Sequence, residues 1–260
     1  QEPKIYTIPQ FISQKECQHI IELAKPKMQQ SLVSDTKGGI VSKGRTGKNC
    51  WIQHNATDIT SNISKKISDE VGIPLSHAEA FQVIHYYETQ EYRPHFDGWL
   101  HDGSDKSKRT MSNGGQRLIT ALVYLNEVSK GGGTQFTRII DASGERLTVK
   151  PDPGKILIFH NCKKNTNGRH ILSEHAGMPV LEGEKWAFNL WFRELPRTEN
   201  YAGFRDFSIE NIGLVQHMTP VNTTKNNDIV NNDDKIIFYK NQISENSLID
   251  VVKHASLPET

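Results

Sequence analysis

The sequence predicts a mainly β protein with helices, of the α+β class, in which a β-sandwich or jelly roll is backed by N-terminal helices. Three features of the 260-residue chain predict this class. Two segments before residue 73 carry apolar residues at helical spacing. From Ala80 the period of the apolar residues changes to two, which is typical of strands. Clusters of Gly, Asn, Asp and Pro separate these later segments, as in Pro151-Asp152-Pro153-Gly154.

Two helices are predicted ahead of the strands. Ser13 and Glu16 match a capping box, which satisfies free amides at the start of a helix. The apolar residues that follow at helical spacing are Cys17, Ile20, Ile21, Ala24 and Met28. The second helix is expected to begin near Asp58 and to end at Val71-Gly72. Its apolar face is formed by Ile59, Ile63 and Ile67. Residues 31–50 are rich in Ser, Gly and Lys, and we expect a loop or an irregular strand there.

Six strands are predicted after these helices. Their sequences are AFQVIHYY, RLITALVYLN, GTQFTRI, RLTVK, KILIFH and KWAFNLWF. A long polar insertion, residues 98–116, precedes the second strand. Its composition leaves two interpretations open, a solvated hairpin loop or a mobile lid beside a site.

The chain is predicted to divide near Arg197, where the strand pattern weakens. We expect one domain at residues 1–197, with its jelly roll from about residue 80, and a C-terminal extension at residues 198–260. The extension is partly of low complexity, as in VNTTKNNDIVNNDDK. Two later segments, 236–240 and 247–255, are expected to add a strand and a short helix.

The charge balance gives no electrostatic case for a nucleic-acid partner, because 31 Lys and Arg nearly cancel 30 Asp and Glu. No apolar run approaches the roughly 18 residues that a membrane span requires, so we expect no membrane partner. Three widely spaced cysteines argue against a disulfide framework. We therefore expect a cytoplasmic protein, or one of the host-cell cytoplasm if the source is viral. A secretory setting stays open, and the oligomeric state is not predicted.

His95 and Asp97, in the segment YRPHFDGW, are the candidate metal ligands. Residues two apart on a strand point to the same side, and two histidines with one carboxylate are typical of an open non-haem Fe(II) site. The second histidine would come from His160, His170 or His175. If it is His175, a dicarboxylate bound to the iron could reach Lys185 with its second carboxylate. The alternative interpretation of Lys185 is a surface lysine whose aliphatic stem is buried and whose ammonium is in water.

Several ordered segments closely resemble the prolyl 4-hydroxylases of the Fe(II)/2-oxoglutarate dioxygenase superfamily. These are QVIHYYETQEYRPHFD, GGQRLITALVYLN, GGGTQF, VKPDPGKILIFHN and HAGMPVLEGEKWAFNLWFRE. The lead-in IPQFISQKECQHIIELAK and the GRTG at 44–47 are similar to the same family, so the resemblance covers roughly residues 5–195. It implies a double-stranded β-helix core, of the jelly-roll or cupin-like type, and makes residues 1–197 the catalytic domain.

The resemblance also implies roles for individual residues. The iron ligands fall on His95, Asp97 and His175. The residues of the 2-oxoglutarate pocket fall on Lys185, which would bind the C5 carboxylate, and on Tyr86, Tyr124 and Thr134. The peptide-groove positions fall on Glu79, Tyr92, Arg117 and Trp191. For Tyr92 and Trp191, packing in the core is an equal alternative. The chain departs from the family pattern at Gly47, Gly133 and Arg193, where serine, an acidic residue and histidine are common.

The activity that the resemblance implies is hydroxylation of peptidyl proline. Fe(II) would be the cofactor, 2-oxoglutarate and dioxygen the co-substrates, and ascorbate an optional addition; 2-oxoglutarate would yield succinate and CO2. One alternative is a dioxygenase of the same fold that acts on another residue or on free proline. A second is a non-catalytic jelly-roll binding module, which we would expect to lack part of the ligand set or the lysine. The sequence identifies neither the protein substrate nor the hydroxylated carbon.

Overall fold

The computed structural model describes residues 3–35, 38–41 and 44–199. The expected strand at 236–240, the expected helix at 247–255 and the low-complexity segment therefore lie outside the described residues. The helices are α1 (Gln14–Ala24), α2 (Asp58–Val71) and α3 (Asp105–Met111). The strands are β1 (Ile5–Ile8), β2 (Gln29–Gln30), β3 (Leu32–Asp35), β4 (Gly38–Val41), β5 (Lys48–Ile52), β6 (Phe81–Tyr86), β7 (Tyr92–His95), β8 (Arg117–Tyr124), β9 (Lys130–Gly131), β10 (Thr134–Ile140), β11 (Arg146–Val149), β12 (Ile156–His160), β13 (His175–Gly177), β14 (Val180–Glu182) and β15 (Lys185–Arg193).

Two antiparallel sheets form the body of the fold. The large sheet has seven strands in the order β1-β12-β8-β15-β6-β5-β2, and the small sheet has four in the order β11-β10-β13-β7. Two further pairs, β14 with β9 and β3 with β4, lie outside these sheets. Apart from β5 with β6 and β10 with β11, the strands that pair in these two sheets are not consecutive in the sequence, as is typical of a jelly roll. The predicted α+β class with a jelly-roll core is confirmed.

The hydrophobic core has two layers, one on each face of the large sheet. On one face, Ile20 of α1 and Ile63 of α2 pack with Phe81 and Phe188 of the sheet. On the other face, residues of the small sheet such as Phe136 pack against the large sheet. The order of layers is therefore helices, large sheet, small sheet. Alternation along β6, β8 and β15 supplies an apolar side chain to each layer.

The predicted helices are confirmed with one correction. Ser13 and Glu16 form the capping box, and the second helix ends at Gly72, whose φ is +69°. The first helix, however, ends at Ala24, so Met28 is not part of it. Pro26 lies in the 3₁₀ turn that follows, because proline lacks the N–H that a continuing helix needs and clashes with the preceding turn.

All six predicted strands are present, and several elements were missed. Residues 31–50 contain regular strands, of which β5 joins the large sheet through β6. The short strands β7 and β13 had no readable period because each has only three or four residues. The polar insertion contains α3, with Ser104 as its N-cap. Only Ser107 and Met111 of that helix are buried, which leaves too short an apolar stripe to predict it.

None of the helices in the described ranges has the length and apolar character that a membrane crossing requires.

Gly154 generates a test of the fold. Its φ is +78°, its N–H donates to the Tyr124 carbonyl and its carbonyl accepts from Ile12 N. A Cβ at this position would overlap the Ile12 backbone carbonyl. We expect Gly154→Ala to lower the free energy of unfolding by about 2–4 kcal/mol, because strain and overlap add. Denaturant unfolding followed by circular dichroism measures this loss.

The matched control is Gly144→Ala. Gly144 has a similar φ of +87°, but a Cβ there meets no atom within 4 Å. Its substitution should therefore lower the free energy of unfolding by only about 1 kcal/mol, the effect of the positive φ on a residue with a Cβ. Equal losses for the two variants would contradict the role assigned to the contact between Gly154 and Ile12.

Candidate active site

A cavity of about 750 Å³ opens between the two sheets. Its walls come from β6, β7, β8, β10, β13 and β15, together with the insertion at 98–116 and with Gly44, Arg45 and Arg169. The predicted residues on its lining are Tyr86, Tyr92, His95, Asp97, Arg117, Thr134, His175, Lys185 and Trp191. Of the predicted set, Tyr124 and Glu79 lie behind the walls rather than on them. The fold therefore brings most of the sequence-predicted residues to one cavity.

The three candidate metal ligands meet because β7 pairs with β13. His95 ends β7, His175 begins β13, and the two residues are directly opposite each other in the antiparallel register. One potential ligand atom from each of His95, Asp97 and His175 lies within 4.8 Å of the others. The Nε2 atoms of His95 and His175 are 3.8 and 3.7 Å from Asp97 oxygens. His160 and His170, the other candidates, do not join this cluster.

Neighbouring groups orient each of the three ligands. His95 Nδ1 is 2.8 Å from the Arg93 carbonyl, and His175 Nδ1 is 2.9 Å from the Ser173 carbonyl. Donation from each Nδ1 leaves the Nε2 lone pair free to bind a metal. Asp97 Oδ2 accepts hydrogen bonds from Thr120 and Trp191, so Oδ1 remains available as a ligand.

The electrostatics of the cluster suit a divalent cation. Burial is the main cause that lowers the pKa of His95, to about 3, and the neighbouring His175 lowers it further. Burial alone would raise the pKa of Asp97, but His175, His95 and Arg117 outweigh it and lower the pKa to about 2. At neutral pH this leaves a neutral imidazole and an ionised carboxylate, the forms that bind a metal.

Lys185 is the first residue of β15 and lies opposite Tyr86 of β6. The residue is only 2% exposed. Among the described residues no carboxylate pairs with its ammonium, and its Nζ lies over the Tyr124 ring, 5.4 Å from the ring centre. Burial lowers the pKa of Lys185 to about 7. A buried, unpaired ammonium on the cavity wall fits the free carboxylate of a dicarboxylic ligand.

Tyr124 and Thr134 lie beside this lysine. The Tyr124 hydroxyl donates to Thr134 Oγ1 at 2.8 Å, and burial raises the pKa of Tyr124. Thr134 reaches the cavity wall, whereas Tyr124 supports it from behind. Tyr86, Tyr124 and Thr134, the other three residues predicted for the 2-oxoglutarate pocket, are therefore grouped around the buried Lys185.

The predicted groove residues divide into a wall and its support. Arg117 lies on the wall, with its guanidinium 3.6 Å from the centre of the Trp191 ring. Glu79 lies behind it and accepts two hydrogen bonds from Arg117, at 2.7 and 2.8 Å. Trp191 is buried and donates to Asp97, so it contacts the metal-ligand cluster as well as Arg117. Tyr92 stacks on His95, with ring centres 3.6 Å apart.

Sequence reasoning missed two residues that hold Asp97 in place. Thr120 donates to Asp97 Oδ2 at 2.7 Å, and Asn161 donates to Thr120 Oγ1 at 2.9 Å. A signal was available for Thr120, because it shares the inward face of β8 with Leu122 and Tyr124. A polar residue between apolar ones on that face needs a buried partner.

Arg193 was noted only as a departure from the family pattern, yet it ties the insertion to the large sheet. Its Nη1 donates to the Thr110 and Gly115 carbonyls at 3.0 and 2.7 Å. Its Nε lies 2.7 Å from Glu79, and its guanidinium stands over the Trp99 ring. The insertion lines the cavity, which favours the interpretation that places it beside a site; its mobility stays a prediction.

The other two departures have steric causes. A Cβ at Gly47 would lie 2.5 Å from ring atoms of Tyr86, so a serine there would displace a cavity residue. A Cβ at Gly133 would lie 2.9 Å from Thr148, so an acidic side chain would not fit without movement of β11. In this chain the close approach of Tyr86 and Thr148 therefore favours glycine at positions 47 and 133.

Comparison with known proteins agrees with this geometry. Residues 81–193 match the family model of the 2OG-Fe(II) oxygenase superfamily, which places the chain in the class of 2-oxoglutarate- and iron-dependent oxygenases. Prolyl 4-hydroxylase 5 of Arabidopsis thaliana is 34% identical over 206 residues, covering 74% of this chain and 68% of that protein. Prolyl 4-hydroxylase 2 of the same plant is also 34% identical, covering 73% and 67%. The match to a third Arabidopsis relative covers only 62% of that relative's length.

A solved structure shares the fold. The viral collagen prolyl hydroxylase of Paramecium Bursaria Chlorella virus-1, in complex with 2-oxoglutarate, is 25% identical with a TM-score of 0.55, covering 73% of this chain and 95% of that one. The chain belongs to the prolyl 4-hydroxylase family. The predicted family, the prolyl 4-hydroxylases among the Fe(II)- and 2-oxoglutarate-dependent dioxygenases, is confirmed.

Arg193 generates a test of the insertion. The conservative change Arg193→Lys keeps a positive charge near Glu79 but loses the fork that reaches two carbonyls. We expect trypsin to cleave within α3, at Lys106, Lys108 or Arg109, several-fold faster in this variant, because local opening becomes easier. Limited proteolysis of the native protein with mass spectrometry of the fragments measures the rate.

Arg138→Lys serves as the control for that experiment. Arg138 pairs with Glu174 and makes no contact with the insertion among the interactions of the described residues. Its substitution should leave cleavage within α3 unchanged. Equal cleavage rates in the Arg193→Lys variant and the unmodified protein would contradict the tether.

Proposed function

We propose that the protein hydroxylates proline residues in peptides, with iron held by His95, Asp97 and His175 and with 2-oxoglutarate anchored on Lys185. The observation that carries the proposal is the meeting of two features in one cavity. These are the cluster of three candidate ligand residues and the buried Lys185 ammonium, which has no carboxylate partner within the described ranges. Both are needed for a metal that binds a dicarboxylate.

When bound, Fe(II) and 2-oxoglutarate activate dioxygen, and a substrate C–H bond is hydroxylated as 2-oxoglutarate yields succinate and CO2. Ascorbate would serve as an auxiliary reductant. The protein's own contribution is geometric. Asp97, held by Thr120 and Trp191, presents one oxygen to the metal, and the backbone carbonyls of Arg93 and Ser173 fix the two imidazoles.

A peptide substrate is supported by the aromatic and cationic wall near the metal site. Tyr92 stacks on His95, and Arg117 is held in place by Glu79. Trp51, which is 47% exposed, has its ring centre 6.1 Å from that of Trp191 and extends the aromatic surface outward. Proline-rich segments adopt an extended helix whose rings pack on such surfaces. Free proline would leave most of a cavity of about 750 Å³ unused.

A cytoplasmic location is also part of the proposal. Cys17, Cys50 and Cys162 are free and buried. Burial raises the pKa of Cys17 and of Cys50 to about 11, which keeps both thiols protonated. Unreactive thiols of this kind are compatible with a reducing compartment.

The direct test is mass spectrometry of proline-rich peptides incubated with the protein, Fe(II), 2-oxoglutarate, ascorbate and air. We expect a gain of one oxygen on proline and matching release of succinate. His175→Ala should abolish both, because two ligands remain where three are needed. His170→Ala is the matched control, since His170 caps the turn at Leu172 and lies outside the ligand cluster.

Two results would contradict the proposal. Full activity of the His175→Ala variant would remove the metal assignment. Succinate release without any oxygen gain on proline, across collagen-like and other proline-rich peptides, would remove the substrate assignment. Circular dichroism of both variants verifies that each is folded.

Lys185 generates a prediction about pH. In the free protein its pKa is lowered to about 7 by burial, and a bound carboxylate raises that pKa because it favours the charged form. Above pH 7, binding of 2-oxoglutarate should therefore take up a proton. Its affinity should fall as pH rises, by up to about tenfold per unit. Calorimetry without dioxygen, in two buffers of different ionisation enthalpy, measures the uptake.

Lys185→Met should remove the proton uptake and weaken binding by about tenfold to a hundredfold, the usual value of a charged hydrogen bond. Lys155→Met is the control, because Lys155 pairs with Asp152 outside the cavity. Proton uptake that persists in the Lys185→Met variant would assign the effect to another group.

A further inference from the structure

Basic side chains dominate the outer part of the cavity wall. Arg117 and Arg193 line the cavity and pair with Glu79. The other basic residues that line it beyond the metal and lysine sites are Arg45, Arg93, Lys106 and Arg169. The only acidic residue of this outer lining among the described residues is Asp102, which is occupied by hydrogen bonds from Ser104 and Ser107. A positive wall of this kind attracts anionic ligands.

Some of these charges already have partners. Arg93 pairs with Glu91 at 3.3 Å, and Arg169 stands over the Phe96 ring with Glu174 in electrostatic reach. Arg45 and Lys106, in contrast, have no carboxylate partner among the described residues. Arg45 is the more informative of the two, because it is buried.

Arg45 is held beside the metal-ligand cluster by backbone pairing with β7. It forms an isolated bridge with Tyr92, and the Gly44 carbonyl accepts from Arg93 N. Only 6% of the surface of Arg45 is exposed. Its Nη2 donates to Gln82 Oε1 at 2.9 Å, and its Nε has no hydrogen-bond partner. A buried guanidinium with an unused donor and no counter-charge is costly unless a ligand completes it.

The position of Arg45 fixes where that ligand would lie. The guanidinium is 4.8 Å from the centre of the Tyr92 ring, and the other stacking contact of Tyr92 is with His95, at 3.6 Å. The cation is thus one aromatic ring away from a candidate iron ligand. Since extended chain advances about 3.3–3.6 Å per residue, a side chain one or two residues from the target proline would reach it.

We propose that the preferred substrates are acidic peptides, in which an Asp or Glu one or two residues from the target proline binds Arg45. This inference rests on the proposed function. Lys106 would bind a second acidic residue farther out. A backbone carbonyl of the peptide could also accept from Arg45, but it would not neutralise the charge, and the two cases differ in their dependence on peptide sequence.

The test compares peptide pairs that differ only by Glu or Gln at each position within two residues of one proline. We expect kcat/KM to be at least tenfold higher for Glu at one position or more. The ratio should fall as salt is added. In Arg45→Gln the ratio should approach one, because kcat/KM should fall more for the Glu peptides than for the Gln peptides. Arg45→Lys should keep part of the preference.

Arg138→Gln is the control, because this arginine lies outside the cavity and should retain the full preference. Calorimetric binding of 2-oxoglutarate to Arg45→Gln verifies that the site is intact. Equal rates for Glu and Gln peptides, or an equal loss for both in Arg45→Gln, would overturn the proposal while leaving prolyl hydroxylation in place. Absence of hydroxylation in every peptide would instead count against the proposed function.

Discussion

The antiparallel pairing of β7 with β13 is the constraint on which the rest of the site depends. It sets His95 opposite His175 at the edge of the small sheet. Asp97, two residues beyond β7, is then held by Thr120 and Trp191 of the large sheet, so its carboxylate spans the gap between the layers. A slip of one residue in this pairing would turn an imidazole to the other face of the sheet. The metal-ligand cluster is therefore a product of strand register, and the two-layer core fixes that register.

Buried charge is the second organising feature, and it surrounds the same cavity. Glu79 lies between Arg117 and Arg193, which it can neutralise only in part. Burial alone would raise the pKa of Glu79, but these arginines outweigh it and lower the pKa. A buried ionic cluster stabilises a fold less than apolar residues of the same volume would. Its position indicates a functional reason. Through Arg117 it shapes the wall beside Trp191, and through Arg193 it holds the insertion against that wall.

Sequence patterns predicted the features that depend on residues close together in the chain. Period, capping and spacing predicted α1, α2 and six strands, and His95 with Asp97 stood out because they are two apart. The partners of those ligands were beyond such rules. Thr120 and Asn161 lie far from Asp97 in the chain, and only the packed sheets bring them together. The helix α3 was not predicted, because its two buried residues are too few to show a helical spacing of apolar residues. The choice of His175 over His160 and His170 required the register of two strands that are too short to recognise.

The departures of this chain from its family pattern separate two parts of the cavity. Around the metal-ligand cluster and Lys185, the residues match the pattern, and Gly47 and Gly133 differ only where their neighbours Tyr86 and Thr148 fill the space. Farther out, Arg193 stands where the family commonly has a histidine. Its hydrogen bonds to two carbonyls of the insertion hold that segment against the cavity. Under the proposed function, the inner part would be constrained by its chemistry, because a metal and a dicarboxylate allow few alternatives. The outer part carries no such constraint, so differences in its charge and shape are where selection among proline-containing substrates would arise.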